Sequence, residues 1–100
     1  MTSEVRPSPA VFRFCHLVQD ELQERGGVTR SYAIAVAAAE RVEIWAEIQG
    51  EVGAALCATW AVSWWSIDHQ ELPLAFQAKQ AADEIIRKFD AHREALGLKR

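Results

Sequence analysis

One hundred residues, half of them apolar and a quarter charged, suffice for one domain with a modest core. The net charge of −3 is uneven: residues 20–71 hold nine acids against three bases, while residues 79–100 hold four acids against six bases. The acidic middle argues against a surface that grips nucleic acid, because phosphate binding needs clustered Lys and Arg, and two cysteines give neither a disulfide framework nor a CxxC pair.

Seventeen alanines point to helices, since Ala loses no side-chain entropy there and is a poor strand former. Cys15 and Cys57 both lie among apolar residues and read as buried thiols in a reducing compartment. The opening MTSEVRPSPA lacks the basic and apolar regions of a secretory signal, so the expected location is cytoplasmic.

Taken in chain order, residues 1–8 read as a flexible arm and 9–100 as a single helical domain. Ser8-Pro9 is a helix start, with Ser as N-cap and Pro at the first helical position. Val11, Cys15, Val18 and Leu22 recur at helical spacing with Phe14 alongside, and Gly26-Gly27 ends the pattern. The expected first helix is 9–25.

Thr29 or Ser31 is placed to cap a second helix over 30–49. The run YAIAVAAA alternates briefly, as a strand would, but the alanine content and the continuing pattern favour helix. Ile34, Ala38, Val42, Trp45 and Ile48 then form the buried stripe. Glu40, Glu43, Glu47 and Glu51 follow one another at helical spacing on a different face. Gly50 and Gly53 are the expected break before a third helix over 51–66.

That third segment is the most unusual in the chain. The sixteen residues from Val52 to Ile67 carry no charge and hold three of the four tryptophans. Val52, Leu56, Trp60 and Trp64 fall on one line, and apolar residues occupy the other faces. A helix of this kind is central in a bundle or covered by a partner, so it should be the most buried element. It falls short of the ~20 residues needed to cross a bilayer, and membrane insertion is not expected.

Pro73 opens a last helix over 73–96 and Gly97 closes it. Leu74, Ala78, Ala81, Ile85, Phe89 and Leu96 supply its apolar stripe. Asp83 with Arg87, and Glu84 with Lys88, are acid-first pairs at i, i+4. The expected fold is therefore all-α, a compact bundle of about four helices with antiparallel neighbours.

Two features carry a functional expectation. The stripe Glu40, Glu43, Glu47, Glu51 suits docking on a basic surface of a protein partner. Trp64 and Trp65 belong to a residue type enriched in binding hot spots. Asp68-His69 has the makings of an oriented base, but no HExxH, GxSxG or phosphate loop accompanies it. Cys15-His16 is a poor chelate, because neighbours on a helix diverge. No catalysis, cofactor or metal is expected.

The profile of a small acidic chain without catalytic motifs is similar in style to inhibitors carried by phages or mobile elements, including anti-CRISPR and immunity proteins; no residue is carried over from any of them. The expected function is inhibition or regulation by protein–protein contact. The alternative is a structural subunit that forms a homodimer or larger oligomer through its Trp-rich helix.

Overall fold

A computed structural model describes residues 6–25, 27–49 and 55–95 of the chain. Helix α1 spans Pro9–Glu24, and strand β1 spans Val28–Val36. A single 3₁₀ turn, Ala37–Ala39, leads into strand β2, Arg41–Gln49. Strand β3 covers Ala55–Ser63, the short helix α2 covers Trp64–His69, and the long helix α3 covers Leu74–Ala95. The strands form one antiparallel sheet in the order β1-β2-β3.

The fold is thus α+β, with a three-stranded sheet, and the expected all-α bundle is wrong. Where a second helix was expected over 30–49 there is the β1–β2 hairpin, and in place of a third over 51–66 stand β3 and the start of α2. The physical reason is visible in β2. Val42, Ile44, Ala46 and Ile48 are buried, while Arg41, Glu43, Trp45, Glu47 and Gln49 alternate with them on the other side. This is period two, with β-branched and aromatic residues throughout. The supposed helical stripe dissolves: Val42 and Ile48 are core, but Ile34 and Ala38 are exposed. Nor is the Trp-rich segment the most buried, because β3 alternates between buried or half-buried and exposed residues. The expected break at Gly50 and Gly53 lies outside the described residues.

The two long helices follow their local signals. Ser8 caps α1 with its side chain accepting from the Val11 amide, and Pro9 takes the first turn. Val11, Phe14, Cys15, Val18 and Leu22 are its buried face. The chain leaves through Gly27 at φ 98°, a left-handed conformation that suits Gly. The Pro73 carbonyl accepts the amides of Phe76 and Gln77 at the start of α3, whose buried face is Gln77, Ala78, Ala81, Ala82, Ile85 and Phe89. The expected pairs Asp83–Arg87 and Glu84–Lys88 are replaced. Asp83 pairs with Arg25 of the α1 terminus at 2.5 Å, Glu84 pairs with Arg87, and the Lys88 ammonium donates to the Thr59 carbonyl. The Arg25 guanidinium is held even more firmly protonated than usual by its hydrogen bond to Asp83. Leu96 and Gly97 lie outside the described residues.

Helix α1 packs along β1 and against α3, and α3 packs on β3, so both long helices lie on one side of the sheet. The core fills that layer, with Phe14, Leu22, Ile44, Ile85 and Phe89 fully buried within it. Each such side chain stabilises the fold by about 1.5–3 kcal/mol relative to exposure. The other side of the sheet has no covering element among the described residues.

Candidate interaction surface on the open sheet face

Residues directly opposite one another in a sheet share a face. The register aligns Tyr32 of β1, Trp45 of β2 and Thr59 of β3 across the middle of the open side. Arg30, Glu47 and Cys57 form the row beside it. Ile34, Glu43 and Ala61 form the row on the other flank, followed by Val36, Arg41 and Ser63.

The Tyr32 and Trp45 rings stack with centroids 5.3 Å apart and planes 17° from parallel. The Arg30 guanidinium stands 5.6 Å from the Trp45 ring centre, a cation–π placement. Arg30 Nε also donates to Glu47 at 2.9 Å. On the far side Arg41 donates twice to Glu43. Two arginines therefore balance two glutamates around an aromatic pair. Tyr32 is 43% exposed and Ile34 48% exposed, high values for ring and aliphatic groups on a strand. A depression of about 470 Å³ beside Trp45 is lined by Tyr32, Arg41, Glu43, Thr59 and Ala61 among others.

The acidic residues singled out in the sequence do not form one stripe. Glu43 and Glu47 lie on the open face, two positions either side of Trp45, and each is paired with an arginine. Glu40 sits at the hairpin turn with a left-handed φ of 48°, and its carbonyl accepts the Trp64 amide at 2.9 Å. Glu51 lies outside the described residues. The tryptophans also separate. Trp64 is 6% exposed and belongs to the core, with no hydrogen-bond partner for its indole Nε1. Trp65 is 69% exposed and stacks on His69 at 4.3 Å.

The candidate base does not assemble. Asp68 accepts from the Ser8 hydroxyl, and His69 Nδ1 contacts the Trp65 carbonyl. Cys15 is buried, which pushes its thiol pKa up, whereas Cys57 is exposed on the open face. Among the described residues no group of His, Cys, Asp and Glu has the arrangement of a metal site. No helix among them is long and apolar enough to cross a membrane.

Sequence reasoning missed Tyr32, Trp45, Arg30 and Arg41 as a group. The signal was present in the alternation of RVEIWAEIQ, which sets every second residue on one side of a strand. No protein-family model matches the chain, and neither a curated protein nor a solved structure matches it.

Proposed function

We propose that this chain is a non-enzymatic binding protein, an inhibitor or regulator that acts by occupying a partner protein's surface with the open face of its sheet. The observation that carries this reading is the stack of exposed Tyr32 on half-buried Trp45, flanked by Arg30, on a sheet face with no covering layer among the described residues. Trp, Tyr and Arg are the residues that dominate binding hot spots. The rings offer large contact area with few rotatable bonds. Balanced Arg–Glu pairs around them suit a partner patch carrying both signs of charge, rather than a purely basic one. A nucleic acid is the less fitting ligand, because Glu43 and Glu47 offset the charge of the two arginines on this face.

The test is affinity capture with the wild-type protein and with the double variant Tyr32→Ala, Trp45→Ala. The wild type is expected to retain a protein that the variant loses at least tenfold, equivalent to about 1.4 kcal/mol, while both give the same far-UV spectrum. Equal capture by both overturns the reading. So does tight binding of a single-stranded oligonucleotide by the wild type.

A further inference from the structure

Strand β3 ends the sheet, with no strand on its outer side among the described residues. Which peptide groups face outward there follows from the contacts. Lys88 Nζ reaches the Thr59 carbonyl at 2.6 Å from α3, so that carbonyl points away from β2. In an antiparallel strand the amide and carbonyl of one residue point the same way, and alternate residues follow suit. Cys57, Thr59 and Ala61, with Ala55 and Ser63 at the ends, therefore present their peptide groups outward. The register on β2 agrees: Glu47, opposite Cys57, turns its carbonyl away from β3 to β1, where it accepts from the Thr29 hydroxyl at 3.0 Å.

Natural edge strands are blunted by charge, proline, bulges or a cover. β1 has such protection: it carries Arg30, breaks register between Val28 and Arg30, and lies along α1. β3 is protected from outside its own sequence, by α3, which packs on it and whose Lys88 caps the Thr59 carbonyl. The nine residues of the strand itself are uncharged, contain no proline and pair with β2 without interruption. Beside it runs a groove of about 740 Å³ between the end of β3, α2 and α3, lined by Trp60, Val62, Phe76, Gln77, Glu84 and Arg87 among others. Gln77 is only 5% exposed, and its Oε1 has no hydrogen-bond partner.

The geometry points to a second copy of this chain as the occupant, with β3 pairing antiparallel to its twin across a two-fold axis. The middle residue of the Ala55–Ser63 strand is Thr59. Full overlap therefore places Thr59 opposite Thr59, and Cys57 opposite Ala61. In this register every outward-facing residue exchanges hydrogen bonds with its opposite number, and Thr–Thr is a favourable cross-strand pair. The charges on α3 fit the same axis. Lys88 touches Thr59, so the stretch of α3 nearest the axis includes Glu84 and Arg87. Glu84 and Arg87 pair with each other within one chain, and in an antiparallel pair of α3 helices they would exchange partners between copies, a self-complementary arrangement in an isologous contact. A strongly basic or acidic peptide finds no such complement. Lys88 exchanges its bond to Thr59 for solvent or the neighbouring helix. The dimer uses the outward peptide groups of β3, whereas the proposed contact surface rests on the Tyr32 and Trp45 rings of β1 and β2, so failure of either leaves the other standing.

Light scattering over a concentration series tests this directly. The mass is expected to rise from 11.2 kDa to twice that value as concentration increases. Ala61→Pro removes an outward amide that β2 does not use, so it should abolish the dimer while the far-UV spectrum stays the same. Glu84→Arg should weaken dimerisation, and adding Arg87→Glu should restore it. In a Cys57→Ser background, Thr59→Cys places two thiols across the axis with Cα atoms about 5.5 Å apart. A disulfide-linked dimer is expected under mild oxidation. A monomer at every concentration overturns the proposal and leaves the edge to an extended segment of another protein. A dimer that survives Ala61→Pro and gives no cross-link overturns it too, because the copies would then meet elsewhere.

Discussion

The two faces of the sheet are built from the same strands, yet they differ in everything that packing controls. On the helix side of β2, Val42, Ile44, Ala46 and Ile48 are all buried against the helices. One residue away along the same backbone, Arg41, Glu43, Trp45 and Glu47 meet no second layer among the described residues. The inner face is constrained by volume, since a core at crystal-like density registers the loss of a single methylene. The outer face is constrained by no such filling, yet it holds a stacked Tyr–Trp pair and two ordered ion pairs. An aromatic pair of this kind, exposed at Tyr32 and half-buried at Trp45, is what the proposed contact surface would use.

The contrast is broken or sharpened by mutation. The largest effect is expected at the paired tryptophans, which sit next to each other in sequence but on opposite sides of the boundary. Trp64→Ala should cost about 3–5 kcal/mol, the range for truncating a buried aromatic ring. Trp65→Ala should stay within about 0.5 kcal/mol, as exposed substitutions do. Denaturant midpoints for the two variants measure this, and equal shifts would erase the distinction between core and surface at this corner.

Next comes the neighbouring pair on β2. Ile44→Ala, at a site 1% exposed, should cost about 2–5 kcal/mol. Trp45→Ala, at a half-buried site, loses the Tyr32 stack and the Arg30 contact, together about 1–2 kcal/mol on ordinary magnitudes, and part of its buried area. If urea melts show Trp45→Ala to be as damaging as Ile44→Ala, the open face serves stability and the contact reading fails.

Smaller still is the ion pair. Glu47→Gln should change stability by less than about 1 kcal/mol, with the difference fading at high salt, because Arg30 is largely solvent-exposed. A thermal melt series in salt decides the point.

The thiols mark the two environments with little energy involved. Cys57 should react with a thiol reagent in the native protein, whereas Cys15 should react only on unfolding. Burial raises the Cys15 pKa, so the folded state holds this proton more tightly than the unfolded chain. The associated stability is present below the ordinary thiol range and is lost as pH rises through the raised value. Alkaline melts should therefore destabilise the wild type more than a Cys15→Ala variant measured against its own neutral-pH value.

The sequence by itself determined the two long helices. Ser8-Pro9 and Pro73 set their starts, and the spacing of Val11, Phe14, Cys15, Val18 and Leu22, or of Ala78, Ala81, Ile85 and Phe89, set their buried faces. These signals are local, because a helix closes its hydrogen bonds four residues apart. The middle of the chain was ambiguous at that range. Glu43 and Glu47 are four apart, a step that returns to the same side of a helix and of a strand alike. The alanines of β1 and of the turn after it favoured the helix. What decided for the strand was pairing with distant residues: Tyr32 against Trp45 and Trp45 against Thr59, each anchored by the helices that bury alternate side chains. The open face exists only once that sheet has formed. Its aromatic pair comes from two strands, and tertiary packing alone decided which side of the sheet the helices would leave bare.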